Sequence, residues 1–147
     1  MDATYQAERD IQVIVERFEA CDFKLEEFTH TRHLTVAAWY LAHFDVGGAL
    51  VRMRSGLQRF IAHHGKQGYH ETITRFWLEL IGSYLDEIPE NVSLTDKVNL
   101  VITRFGSKDM LFQYYTREYV MSETARRDWV EPNLKSIFTK QAVTPRA

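Results

Sequence analysis

The chain has 147 residues, of which 45% are hydrophobic and 26% are charged, and its formal net charge at pH 7 is -2. A chain of this length and composition is expected to fold as one globular domain with its own core. The small negative charge argues against nucleic acid and anionic membrane surfaces as partners.

The longest apolar-rich stretch without a charge, residues 34–42, is too short to span a bilayer, so we expect no membrane partner. The N-terminal residues lack the basic region followed by an apolar region that marks a signal peptide. These two features predict a cytoplasmic protein. The only cysteine, Cys21, cannot form an intramolecular disulfide and is predicted to fill the core.

Apolar residues recur at helical spacing along the chain, and cap or turn residues separate the segments. The first helix is predicted over about residues 3–21. Thr29 is placed to cap a second helix that ends near Phe44. Asp45 is placed to cap a third helix that ends at His63.

Three glycines, Gly47, Gly48 and Gly56, lie within the predicted third helix. Each costs roughly 1 kcal/mol relative to alanine in a helix interior. We therefore expect another backbone or a cavity to lie close to them.

The second half of the chain is predicted to hold the remaining helices. The fourth covers about residues 69–88, and Pro89 ends it. The caps of the helices that follow are Ser93, Ser107 and Ser122. No segment shows the alternation of a half-buried strand. The predicted fold is all-α, a compact bundle of six or seven helices in a single domain over residues 1–147, with a loosely attached tail from about residue 136.

Two stretches combine inward-facing histidines with polar neighbours. At about 100° per residue, His30 and His70 project into the apolar stripes of the second and fourth helices. His33 and Glu71 lie at the edges of those stripes. Imidazole and carboxylate groups from facing helices are the usual metal ligands in helical bundles. The four residues are therefore a candidate site for one divalent transition metal ion, or for a small molecule with Trp77 in the pocket wall.

A buried imidazole without a partner would cost roughly 1–3 kcal/mol. We therefore predict that His30 and His70 face each other across one polar pocket. The alternative is that both are core residues with other hydrogen-bond partners. In that case His33 packs under Phe28, and Glu71 interacts with the positive end of its helix.

Two familiar metal motifs are excluded. Residues 70–74 begin like the His-Glu-x-x-His helix of zinc peptidases, but Thr74 stands at the position of the second ligand. A two-metal bundle site needs Glu-x-x-His spacings, which neither candidate helix has.

A different function is suggested by the predicted sixth helix, which is rich in aromatic residues. On this interpretation the protein is a non-catalytic interaction or structural protein, and the aromatic face covers a partner or a second copy. A homodimer is then expected. The sequence does not decide whether the protein is an enzyme. The face consists of Met110, Leu111, Tyr114, Tyr115, Tyr119 and Val120.

Three motifs together resemble a family of small bacterial all-α proteins of uncharacterised function. They are Phe28-Thr29-His30 with His33-Leu34, Tyr69-His70-Glu71-Thr72-Ile73-Thr74, and Trp129-Val130-Glu131-Pro132. The likeness spans most of the chain. It implies that the two histidine-bearing stretches belong to one site, and it implies no particular activity.

Overall fold

The structure is a computed structural model that describes residues 5–138. Within this range it contains seven α-helices, two short 3-10 helices and no strand. The predicted all-α bundle of six or seven helices is confirmed. The 3-10 helices are Leu25–Glu27 and Lys108–Gln113. The α-helices are α1 (Glu8–Glu19), α2 (His30–His43), α3 (Val46–His63), α4 (Glu71–Asp86), α5 (Leu94–Phe105), α6 (Arg117–Val120) and α7 (Glu123–Arg127).

Four predicted helix starts are confirmed by side-chain caps. Thr29, Asp45, Ser93 and Ser122 each accept a hydrogen bond from the backbone N–H three residues later. Each cap acts within a single turn, so the local sequence is sufficient to place it.

The predicted sixth helix is wrong as one continuous element. Ser107 makes no side-chain cap bond, and the residues after it form a 3-10 helix. Thr116 has extended backbone angles, and its hydroxyl accepts a hydrogen bond from the Tyr119 N–H. A capping residue in this conformation begins a helix and cannot lie inside one. The side chain of Asn133 adds hydrogen bonds to the Thr116 backbone and hydroxyl, which hold the break in place.

Helix α4 lies at the centre of the bundle. It contacts α2, α3, α5 and α7, and most of its circumference is covered. Its side chains belong to a hydrophobic core cluster that reaches from Ile11 to Ile137. Among the described residues, no helix is both long enough and apolar enough to cross a lipid bilayer.

The predicted tail begins within the described residues. Ile137 is 8% exposed and packs into the core, so the chain is anchored at this position. Residues 139–147 of the predicted tail lie outside the described residues.

Gly56 lies at a close contact between helices, where the sequence predicts a neighbouring backbone or a cavity. A Cβ atom added at Gly56 would lie 2.5 Å from Cε2 of Phe18, which no real side chain tolerates. The Phe18 ring is fully buried and stacks on Phe28 with 4.7 Å between ring centroids. It also packs against Phe60, so it has little room to move. The neighbour that requires a glycine is thus an aromatic ring and not a backbone.

Gly56→Ala should destabilise the fold by about 1–2 kcal/mol, because overpacking outweighs the gain in helix propensity. Gly47→Ala is the matched control in the same helix, since its added Cβ would meet only Asp45 Oδ1 at an ordinary 3.6 Å. Urea unfolding of both variants measures the difference. Equal stabilities for the two alanine variants would contradict the close contact.

Candidate functional site

His30 connects the start of α2 to the end of α5. Its Nε2 lies 2.9 Å from the carbonyl oxygen of Phe105, the last residue of α5. A carbonyl only accepts, so this nitrogen carries a proton and donates it to the bond. The ring also packs edge-on against Trp77, with 5.0 Å between centroids. Burial lowers the pKa of His30, which keeps the imidazole neutral.

His70 uses both of its ring nitrogens. Nδ1 accepts a hydrogen bond of 3.1 Å from the Ile73 N–H, which makes His70 the N-cap of α4. Nε2 lies 2.8 Å from the Val120 carbonyl oxygen and donates to it. A neutral imidazole has one donor and one acceptor, so neither nitrogen is left for a metal ion. Burial lowers the pKa of His70 and favours this neutral form.

His33 packs against the ring of Phe28, with 4.7 Å between centroids. This is the contact expected for a core histidine. Burial, and to a smaller extent the nearby His30, lower the pKa of His33 to about 4. The ring is therefore neutral at physiological pH.

Glu71 lies in the first turn of α4, as the core interpretation predicts, but its main partners are side chains. Arg54 forms a two-point contact with it, with Nε 3.0 Å from Oε1 and Nη2 2.6 Å from Oε2. The hydroxyl of Tyr69 donates to Oε1 at 2.7 Å. The Arg54 guanidinium is the main cause of the lowered pKa of Glu71. Both oxygens are already engaged with a cation or a donor.

The expected metal site is not supported by this geometry. Within residues 5–138, no three His, Cys, Asp or Glu side chains gather closely enough to hold a metal ion. Of the predicted ligands, His30 and His70 donate to separate carbonyls, and Glu71 pairs with Arg54. Trp77, the predicted pocket wall, is 8% exposed within the core. None of the five cavities found among the described residues is lined by any of the three candidate histidines or by Trp77.

Residues 69–74 hold the C-terminal part of the chain against α4. Besides the His70 bond, the buried hydroxyl of Thr72 donates to the Asp128 carbonyl at 2.8 Å. The same hydroxyl accepts from the Val130 N–H at 3.2 Å. Two of the motifs in the family resemblance are therefore in direct contact. This pairing cannot be predicted from residue types, because the partner atoms belong to the backbone.

The tyrosines of the predicted aromatic face pack against the core. Tyr115 is 0% exposed, and its hydroxyl donates to the Val130 carbonyl at 2.7 Å. Tyr114 packs against Phe76, and Tyr119 stacks on Tyr115. The homodimer stays a prediction, but these tyrosines no longer give a reason for it.

Sequence reasoning missed a cavity of about 330 Å³ between α4, α5 and residues 134–138. Residues from four separate segments form its lining, so no local pattern marks it. Its apolar and aromatic lining consists of Leu80, Tyr84, Phe105, Met110, Tyr114 and Ile137, and its polar lining of Ser83, Glu87, Arg104, Gln113 and Lys135.

A larger groove of about 610 Å³ runs beside Glu71. Its three arginines already have partners, because Arg54 pairs with Glu71, and both Arg126 and Arg127 pair with Glu123. A charged ligand would have to displace these contacts. The smaller cavity between α4 and α5 is therefore the better candidate site.

His70→Ala should lower stability by about 1–2 kcal/mol, because α4 loses its cap and the Val120 carbonyl loses its donor. The stability of His70→Asn should lie between that of His70→Ala and that of the parent. Asparagine is a good N-cap, but it is too short to donate to the Val120 carbonyl. Urea unfolding gives the order of the three proteins. A His70→Ala variant as stable as the parent would show that this imidazole is not structural.

Stability should decrease as the pH falls below about 6.5, the ordinary pKa of histidine, towards the folded pKa of about 4 for His33. The sign follows because the unfolded chain binds protons in this range while the buried rings do not. In His33→Leu, the free energy of unfolding should decrease less as the pH falls. Unfolding free energies measured from pH 7 to pH 4 test this. An unchanged slope in His33→Leu would contradict the burial of a neutral ring.

In comparisons with known proteins, no family model, no curated protein and no solved structure matches the chain. The resemblance to small bacterial all-α proteins stays a prediction, and the function has to be argued from the site alone.

Proposed function

We propose that the protein binds a small amphipathic molecule in the cavity between α4, α5 and residues 134–138. The observation that carries this proposal is the combination of size and lining. Ligand pockets typically measure about 300–1,000 Å³ and have apolar and aromatic walls with a few polar groups. This cavity has about 330 Å³, at the lower end of that range, and its walls combine six apolar or aromatic side chains with five polar ones. At roughly 30 Å³ for each water molecule in the liquid, it suits a ligand of about ten heavy atoms.

The aromatic walls are held in place by the core behind them. Tyr84 meets Phe105 edge-on, with 5.3 Å between ring centroids. Phe105 in turn packs against the buried ring of Trp77. Another wall residue, Tyr114, rests on the fully buried Phe76. Walls supported in this way are preformed, so little ordering is needed when a ligand binds.

Polar groups at the cavity can orient a ligand. Burial raises the pKa of Tyr114, so its hydroxyl stays protonated and can donate a hydrogen bond. Ser83 and Gln113 add neutral donors and acceptors. We propose a binding function for this cavity and assign no reaction to it.

The test uses three ligands with the same phenylpropyl body: 3-phenylpropan-1-ol, 3-phenylpropionate and 3-phenylpropylamine. At least one should bind and shift the backbone amide resonances of residues 80–87 and 104–114 in two-dimensional NMR. No binding by any of the three at millimolar concentration would overturn the proposal. Chemical-shift changes confined to other residues would also overturn the proposal.

A blocking variant ties the binding to this cavity. Gln113→Trp should weaken binding at least tenfold, since the indole fills the space at an exposed position of the lining. Gln58→Trp is the matched control, because Gln58 is also exposed but lines the groove beside Glu71. Equal binding by the two tryptophan variants would place the ligand elsewhere.

A further inference from the structure

We infer that the cavity selects a singly charged carboxylate on a compact apolar body, with Arg104 as the group that binds the carboxylate. This inference rests on the proposed function and adds the chemical class of the ligand.

The first argument is the charge of the lining. Arg104 and Lys135 are the cations at the cavity, and Glu87 is the carboxylate. Among the ion pairs between described residues, none includes Arg104 or Lys135. This differs from the groove beside Glu71, where the arginines are paired with carboxylates. The lining therefore carries one net positive charge that a bound anion would balance.

The second argument is the placement of the two cations over aromatic walls. The Arg104 guanidinium carbon lies 5.4 Å from the centre of the Tyr84 ring and 5.9 Å from that of Phe105. The Lys135 ammonium lies 4.9 Å from the centre of the Tyr114 ring. Contact with a ring face holds a cation without occupying the in-plane N–H donors of a guanidinium. Those donors have the fork geometry that suits a carboxylate.

The third argument limits the ligand to one negative charge. Glu87 caps the C-terminal end of α4, where the helix dipole is negative, and its carboxylate lines the same cavity. The helix end and the Glu87 carboxylate would both repel a dianion more strongly than a monoanion. The apolar side chains of Leu80 and Ile137, each almost fully buried, fit the hydrocarbon part of a monocarboxylate.

Arg104 also lies in the last turn of α5, where any cation complements the helix dipole. That role alone would not require an aromatic support for the guanidinium. Nor would it place a second cation, Lys135, over another aromatic side chain of the same cavity, that of Tyr114. The pair of cations is accounted for by a shared anionic ligand.

The phenylpropyl series separates this inference from the proposed function. 3-Phenylpropionate should bind about tenfold more tightly than the neutral alcohol, and the amine should bind most weakly. Arg104→Gln should remove the preference, so that this variant binds 3-phenylpropionate and the alcohol with equal affinity. Arg104→Lys should keep part of the preference. Arg117→Gln is the control, because Arg117 also lies over an aromatic ring, that of Phe112, but lines none of the five cavities.

Each outcome has one meaning. Equal binding of the acid and the alcohol would overturn the inference and leave the proposed function standing. A preference for the acid that survives in Arg104→Gln would overturn the role of Arg104. Tighter binding of phenyl phosphate than of 3-phenylpropionate would overturn the choice of a monoanionic carboxylate. If circular dichroism shows that Arg104→Gln is unfolded, Arg104→Lys replaces it, and an undiminished preference in that variant would overturn the role of the Arg104 guanidinium.

Discussion

Helix C-termini leave backbone carbonyls without intrahelical partners. In this bundle, the side chains that donate to these carbonyls join the helices to one another. The carbonyls at the ends of α5, α6 and α7 belong to Phe105, Val120 and Asp128. Their donors are the side chains of His30, His70 and Thr72, which lie at the starts of α2 and α4. Each bond therefore joins the beginning of a central helix to the end of a later one. Within residues 5–138, no buried side-chain polar atom lacks a partner.

The sequence alone predicts more of the fold than of the site. Caps such as Thr29 and Asp45 act through backbone atoms three residues away, so the start of a helix can be read locally. His30 and His70 are both partly buried, but His70 precedes α4 as its extended N-cap, so helical spacing does not apply to it. Their partners could not be predicted, because a carbonyl oxygen belongs to every residue and leaves no mark in the sequence. The break before α6 was missed although Thr116 is a local cap, and only its reinforcement by Asn133, 17 positions away, leaves no local signal.

The cavity could not be predicted because its lining comes from segments that are far apart in the chain. In the sequence, Arg104 and Lys135 look like ordinary exposed cations near a helix end and in an irregular segment. Their proposed role in binding an anion depends on the aromatic rings beneath them. Those rings belong to Tyr84 and Tyr114, whose positions are set by packing on the core. The residue types that suggest chemistry most readily, the histidines, are here used to join helices.

Residues 134–138 supply part of the lining of the cavity, through Lys135 and the buried Ile137. The complete cavity therefore exists only while this segment is docked on the bundle. A ligand that contacts these side chains binds the docked form in preference to any form in which the segment is detached. By thermodynamic linkage, ligand occupancy and docking of the segment stabilise each other to the same extent. The C-terminal segment is thus both a structural element of the fold and the part of the chain whose local stability would report the concentration of the ligand.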